Sequence, residues 1–90
     1  DKEETSVVKH TNNAYTVLGK LSINELNELL DLNISPENEE YETIGGLILN
    51  HAGQIPKEGY AFQFENYKFT VKEVVNKRIK KVLVEKIQAE

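Results

Sequence analysis

The spacing of the apolar residues changes at Pro56. Between residues 44 and 52 they recur every three or four positions, which is the period of a helix, whereas at residues 60–64 and 67–71 they recur at every second position. Strict alternation is typical of strands in an antiparallel sheet with one face on a core and the other in water. The chain must therefore combine at least one helix with an antiparallel sheet.

The residues before this change predict a β-hairpin followed by a helix. β-Branched and aromatic runs at residues 5–9 and 14–18 flank the turn-forming letters HTNN, as two paired strands would. Ser22, followed three residues later by Glu25, is a capping box in which each side chain satisfies a free amide at a helix start. We therefore expect an amphipathic helix over residues 23–31.

A second helix is predicted from Thr43, a suitable N-cap, to Gly53, which supplies the left-handed residue that follows many helices. It would contain Gly45 and Gly46, although each glycine costs a helix interior about 1 kcal/mol relative to alanine. Because glycine allows another backbone to approach closely, we interpret the pair as a close contact between this helix and a neighbouring segment.

Three strands follow, joined by turns at residues 65–66 and 76–77. In the last strand, RIKKVLVEKI, apolar residues fall on both alternating positions, which indicates a β-bulge or a strand covered on both faces. The order strand, strand, helix, helix, strand, strand, strand predicts an α+β fold with two layers. We expect a mainly antiparallel sheet of about five strands with two short helices packed on one face.

The length of 90 residues fits one small domain. We expect residues 1–12 to form an N-terminal segment with the first strand, residues 13–87 the domain proper and residues 88–90 a tail. The glutamate-rich residues 33–42 are predicted to form an exposed linker within the domain. Since the chain starts at Asp1 and contains no methionine, we expect it to be a piece of a longer protein.

Charge is divided unevenly along the chain. Residues 1–65 carry 4 basic and 12 acidic side chains, whereas residues 66–90 carry 7 basic and 3 acidic ones. The acidic part would repel nucleic acid and anionic lipid, whereas the basic C-terminal hairpin could attract them. A nucleic-acid platform needs aromatic residues between its cations, but Tyr67 and Phe69 are predicted to face the other way, so no nucleic-acid partner is expected. The cations predicted to share a solvated outer face of the sheet are Lys68, Lys72, Arg78 and Lys80.

Several classes of function lack the residues they need. No apolar run reaches the length of about 18 residues that a bilayer-spanning helix requires, so no direct membrane insertion by this segment is expected. Cysteine is absent and no serine lies in a nucleophile-elbow pattern, so no catalytic residue is predicted.

The start of the second helix has some features of a phosphate site. Thr43, Gly45 and Gly46 lie where the amides of a helix can bind an anion. The sequence patterns of the common phosphate loops are missing, however, and several glutamates crowd this end of the helix. We predict no cofactor, and these three residues are the candidates if one binds.

A metal site also has some of the residues it would need but lacks their usual spacing. Glu39, Glu40 and Glu42 offer the oxygen ligands that magnesium and calcium prefer, without the spacing of a calcium-binding loop. His10 and His51 stand alone and match no zinc-binding pattern. We predict no metal site, with the three glutamates as the candidates if a cation binds.

Four motifs stand in a distinctive order and spacing: a helix motif at residues 19–30, YETIGGLI at 41–48, the turn IPKEG at 55–59, and the strand pair FTVKEVVNKRI at 69–79. Taken together, they resemble the transporter-associated domain of the CorC/HlyC type over about residues 13–87.

The chain departs from the family pattern at two places. Leu18 stands where the family often has an aspartate, which removes a polar group from that loop, and Asn76-Lys77 replaces an Asp-Gly turn. The second departure lies in a hairpin turn.

The resemblance implies a C-terminal accessory domain of bacterial proteins that also carry a pair of CBS domains. Many members have a membrane transporter region, and they are linked with magnesium and cobalt efflux or described as hemolysin-like. The implied role is non-catalytic: modulation of ion transport or of assembly. The implied partners are the CBS pair and membrane regions of the same chain, and a homodimer is a further expectation.

The implied location is the cytoplasmic side of a membrane, as part of a larger membrane protein, or the cytoplasm. The family fold is also similar to part of certain FAD-binding domains. An alternative function is therefore a small-molecule sensor that binds an adenine-containing ligand, FAD or a nucleotide, near Gly45 and Gly46.

Overall fold

The computed structural model describes residues 6–32 and 42–87. Within these ranges the order of helices and strands is the predicted one. The elements are strands β1 (Val7–Thr11) and β2 (Ala14–Leu18), helices α1 (Ile23–Leu30) and α2 (Ile44–Ala52), and strands β3 (Ala61–Phe64), β4 (Tyr67–Val75) and β5 (Arg78–Lys86).

All five strands belong to one antiparallel sheet, in the order β1-β2-β5-β4-β3. The predicted hairpin and three-strand meander are both present. They are joined by the pairing of β2 with β5, in which Val17 lies opposite Val82. The strand that comes last in the sequence therefore occupies the centre of the sheet, and the predicted α+β fold is confirmed.

The helix ends follow the predicted capping residues. Ser22 Oγ accepts a hydrogen bond from the amide of Glu25 at 3.0 Å, and Glu25 Oε1 accepts one from the amide of Ser22 at 3.2 Å. Helix α1 ends at Leu30, one residue earlier than predicted, because Asp31 is left-handed with φ 58°. Helix α2 ends at Ala52 and is followed by the cap residue Gly53, whose φ of 82° favours glycine.

Both helices pack on the same face of the sheet and bury the side chains that their period predicts. Each buried aliphatic or aromatic side chain contributes about 1.5–3 kcal/mol relative to exposure in water. The largest fully buried side chains are Ile23 and Leu26 of α1, Ile44 and Ile48 of α2, and Val17, Phe69, Val71, Val82 and Val84 of the sheet.

The pairing of β4 with β5 shifts register twice, which explains part of the mixed apolar pattern of the last strand. The extra residue is Lys72 in β4 and Lys80 in β5. Because of the second insertion, Ile79 and Val82 are both buried although they are three residues apart. The predicted bulge is therefore present. The half-buried Leu83 still lies on the face opposite Val82 and Val84.

The four cations of residues 66–90 named above do not form one patch. Lys68 is opposite Glu85, whereas Arg78 is opposite Val75 at the other end of β4. At about 3.3 Å per residue, these two positions are on the order of 20 Å apart along the strand. Arg78 and Lys80 instead line a groove, described below.

Several predictions concern residues outside the described ranges. Apart from the exposed Glu42, the predicted linker of residues 33–42 lies there, as do residues 1–5 and 88–90. The limits of the domain proper, 13–87, therefore stay a prediction.

Candidate functional site

The two helices begin side by side, next to the end of β2. Their N-caps, Ser22 and Thr43, pair as an isolated antiparallel β-bridge. The amide of Ile23 donates to the carbonyl of Glu42 at 2.8 Å, and the amide of Ile44 donates to the carbonyl of Leu21 at 2.9 Å. The segments that precede the helices are thus fixed to each other through their backbones.

We call the backbone contacts of residues 21–23 with residues 42–44 the helix crossing. Gly19 connects it to the centre of the sheet. Its amide donates to the carbonyl of Lys80 at 2.9 Å, and its own carbonyl accepts from the amide of Gly45 at 2.8 Å. A Cβ atom on Gly19 would overlap the carbonyl oxygen of Ile79, and one on Gly45 would lie 3.0 Å from the Gly19 oxygen. The contact at Gly19 requires glycine, whereas the contact at Gly45 is tight but leaves just enough room for a methyl group. The close backbone approach that we predicted for the Gly45–Gly46 pair is therefore seen at Gly45.

The candidate phosphate residues use their polar groups within the protein. The amides of Ile44 and Gly45 donate to Leu21 and Gly19, and the amide of Gly46 donates to Thr43 Oγ1 at 3.1 Å. A phosphate at this helix start would have to displace these bonds, since phosphate sites of this kind depend on free amides.

The candidate metal ligands are only partly described. Glu39 and Glu40 lie outside the described residues, and the side chain of Glu42 is exposed. Within residues 6–32 and 42–87, no three histidine or acidic side chains are close enough to hold a metal ion.

The two histidines are each next to a hydroxyl group. His10 Nε2 lies 2.6 Å from Thr16 Oγ1 on the outer side of the sheet. His51, in the last turn of α2, lies 3.0 Å from the hydroxyl of Tyr60 and stacks on Phe62 with 4.1 Å between ring centroids. These contacts attach the end of α2 to β3.

One tyrosine lies in an environment that changes its ionisation. Tyr67 lies beneath the end of α1, and its hydroxyl donates to the carbonyl of Leu30 at 3.4 Å. Burial raises the pKa of Tyr67, and the nearby Tyr15 and Asp31 raise it further. The phenol is therefore held in its neutral form.

A groove open to solvent runs past the end of the sheet where β4 turns into β5. It consists of two adjoining cavities of about 590 and 310 Å³ that share Lys20, Arg78 and Ile79. Lys77 lines the smaller cavity. We call this feature the cationic groove. It is lined by the cations Lys20, Lys77, Arg78 and Lys80 and by the apolar residues Leu18, Val75 and Ile79.

The cationic groove was not predicted from the sequence. Lys20 follows β2 and Arg78 begins β5, so only the pairing of these two strands brings them together. Among the described residues, Lys20, Lys77 and Arg78 form no ion pair, and none of the groove-lining side chains is acidic. The groove is therefore a positive site on a chain whose net charge is −4.

A membrane-spanning element is not found in the described part of the chain, where no helix has the length and apolar character to cross a bilayer. The two described helices contain 8 and 9 residues.

Known proteins with similar sequences include a polyamine export protein and a magnesium and cobalt efflux protein. The chain is 33% identical to the polyamine export protein of Escherichia coli (strain K12) over 86 residues, which are 96% of this chain and 19% of that protein. It is 30% identical to the magnesium and cobalt efflux protein CorC of Buchnera aphidicola over 71 residues, or 79% of this chain and 24% of that protein. The chain thus spans about a fifth of the length of these relatives.

Solved structures of similar folds are domains of the same size. A transporter-associated domain from a Xylella fastidiosa hemolysin has a TM-score of 0.84 at 26% identity, over 96% of this chain and 100% of that one. A transporter-associated domain from Nitrosomonas europaea has a TM-score of 0.86 at 27% identity, over 93% and 99%.

The family comparison covers most of the fold described above. The family model of the transporter-associated domain, CorC_HlyC, matches residues 8–88. This range includes both helices, the crossing of their starts and the four motifs of the sequence. The chain therefore belongs to the CorC_HlyC family of transporter-associated domains.

Proposed function

We propose that this chain is a non-catalytic regulatory or assembly domain of a longer transport protein that also carries a CBS pair. The main support is the family match over residues 8–88 together with relatives about five times as long. The described residues add an arrangement in which the polar groups of the helix crossing bond to each other. Such a domain would act by contact with other parts of its protein.

The cargo we propose for the longer protein is a cation. The relatives named above are a polyamine export protein and a magnesium and cobalt efflux protein, and each of these cargoes is positively charged. The domain itself offers no cluster of acidic side chains among its described residues that could hold such an ion. We therefore assign transport to the other regions and modulation to this domain.

The test of this role is an export assay on the full-length protein. Cells lacking their own copy would carry either the intact protein or a version without residues 6–87, and release of magnesium, cobalt and polyamine would be measured separately. We expect at least a twofold change in export of one cargo. The amount of the transport protein in the membrane must be measured in parallel. If export changes only in proportion to that amount, the domain acts in assembly rather than in regulation. Equal export and equal amounts would contradict the proposal.

We further propose that the domain lies on the cytoplasmic side of the membrane. The chain contains no cysteine, so a single cysteine placed at the exposed Asn12 would report its location in a full-length protein freed of other cysteines. A thiol reagent that cannot cross membranes should label it only after the cells are permeabilised. Labelling of intact cells would place the domain outside.

A homodimer is the second arrangement that we propose to test. Sedimentation equilibrium of the 90-residue chain distinguishes the monomer mass from twice that value. If the chain is a monomer at all concentrations up to about 1 mM, the free energy of dimer association is weaker than about 4 kcal/mol. The proposed partners would then be the other regions of the same long protein.

A further inference from the structure

We propose that the cationic groove is a docking site for an acidic segment of polypeptide. The observation that carries this is the concentration of four cations, Lys20, Lys77, Arg78 and the half-buried Lys80, around one groove of an otherwise acidic chain. Lys20, Lys77 and Arg78 are all exposed and form no ion pair with another described residue. Charge of one sign around a concave site raises the local concentration of oppositely charged partners.

The acidic side chains of the neighbouring segments lie outside this site. Glu73 lies 3.8 Å from Lys81, on the strand beside the groove, and Glu58 accepts a hydrogen bond from the amide of Val74. Glu42 precedes α2 and is exposed, but it does not line either cavity.

The backbone around the groove indicates a polypeptide rather than a compact phosphate. The helix start beside the groove has no amide to spare, because Ile44, Gly45 and Gly46 donate to acceptors within the protein. A phosphate bound here would be held by flexible side chains alone, without the amide cradle on which phosphate sites of helix starts rely. Several carboxylates spaced along a polypeptide can each pair with a different cation of the groove, which a single compact phosphate cannot do.

The apolar residues of the groove add a second requirement. Val75 is 39% exposed and supplies most of the accessible apolar surface of the larger cavity, because the other two apolar lining residues, Leu18 and Ile79, are only 5% and 7% exposed. A partner that covered this surface would gain from removing it from water. We therefore expect the bound segment to alternate acidic with apolar residues. Its carboxylates would reach the cations of the groove, and its aliphatic side chains would cover Val75.

This inference rests on the proposed function in one respect: it takes the segment from the same long polypeptide. Relatives are about five times the length of this chain, so the other regions supply ample sequence. A tethered segment needs only weak intrinsic affinity, because linkage raises its effective concentration into the millimolar range.

The direct test uses a fluorescein-labelled peptide of nine residues in which glutamate alternates with leucine, and a second peptide with lysine in place of glutamate. Fluorescence anisotropy with the 90-residue chain should show saturable binding of the acidic peptide and none of the basic one. Binding should weaken when salt rises from about 20 mM to about 300 mM, because the contacts are exposed charge pairs.

Two variants of equal net charge locate the site. Lys20→Glu combined with Arg78→Glu should weaken binding about tenfold, since each contact changes from attraction to repulsion. Lys9→Glu combined with Lys68→Glu places the same change on exposed residues of β1 and β4, away from the groove, and should alter binding less than twofold. Circular dichroism melting checks that both variants fold.

Two results would overturn the inference: no binding of the acidic peptide at low salt, or equal weakening in both variants. If pyrophosphate binds saturably at the groove and the peptide does not, the site is an anion site rather than a docking site for a polypeptide. The export assay separates this outcome from failure of the proposed function. A deletion that changes export while the peptide does not bind would reject the groove alone.

Discussion

The amide nitrogen of Gly45 donates a 2.8 Å hydrogen bond to the carbonyl oxygen of Gly19. This bond joins the first turn of α2 to the residue that follows β2, and Gly19 in turn bonds to the carbonyl of Lys80 in β5. Helix, loop and central strand thus meet through backbone atoms. The two glycines differ in how much space surrounds them, and this difference predicts different costs of substitution.

Gly19→Ala should destabilise the fold much more than Gly45→Ala. The new Cβ of Gly19→Ala overlaps the carbonyl oxygen of Ile79, a backbone atom that moves only with β5, so we expect a loss of about 3 kcal/mol. In Gly45→Ala the tight 3.0 Å contact opposes a gain in helix propensity of about 1 kcal/mol, so the net change should be small.

Urea unfolding of both glycine variants measures these differences. A matched control is Asn50→Ala, which also adds helix propensity to α2 but at an exposed position. Equal unfolding free energies for Gly19→Ala and the intact chain would contradict the close contact.

The two N-caps should be energetically coupled. Ser22→Ala and Thr43→Ala each remove a cap and should cost about 1 kcal/mol. Because Ser22 and Thr43 pair in the same bridge, the double variant should deviate from the sum of the single variants by about 0.5 kcal/mol or more. Thermal or urea unfolding of the four proteins gives the cycle.

Ser22→Asn is the control for this cycle, since asparagine caps helices about as well as serine and should retain most of the stability. Strict additivity of the two alanine substitutions would show that the helix starts act independently.

Stability should fall at high pH because of Tyr67. Its pKa is raised by burial, and further by Tyr15 and Asp31, so the folded state holds the phenolic proton more strongly than the unfolded state. The resulting stability is fully present below the unfolded pKa of 10.0 and is lost as pH rises through the folded pKa.

Urea unfolding at about pH 8, 10 and 11 measures this loss, and Tyr67→Phe should reduce it. Tyr60→Phe, which removes a different hydroxyl, should keep the full decline because Tyr67 remains. An identical pH dependence in the intact chain and Tyr67→Phe would mean that other groups cause the decline.

The start of α2 should bind neither magnesium nor the adenine-containing ligands that the alternative hypothesis requires. Amide NMR spectra recorded with magnesium, ATP, AMP and FAD in turn should show no saturable, localised shifts at residues 43–59, because the amides of Ile44, Gly45 and Gly46 are already bonded. Saturable shifts at Gly45 and Gly46 with FAD or a nucleotide would instead support a sensor.

Local chemistry made the elements predictable from the sequence. Ser22 with Glu25, Thr43 and Gly53 marked helix ends because each cap is formed by residues only three or four positions apart: Ser22 with Glu25, Thr43 with Gly46 and Gly53 with Leu49. The conflicting apolar positions of the last strand predicted a bulge, which Lys80 forms.

The central pairing of β2 with β5 was not predictable in the same way. Residues 14–18 and 81–85 are far apart in sequence, and alternation shows which face of a strand is buried but not which strand lies beside it. The cationic groove depends on this pairing, as does the contact of Gly19 with Ile79, so the sequence held no local sign of either.

The central position of β5 has a consequence for synthesis on the ribosome. Strands β2 and β4 are both complete by residue 75, yet each needs β5 as its neighbour in the sheet. A nascent chain that ends before residue 78 can form only separate hairpins, and isolated two-stranded hairpins are marginally stable in water. The domain therefore reaches its native sheet only after residues 78–86 have left the ribosomal exit tunnel, and a message truncated shortly before them would release a chain that cannot complete the sheet.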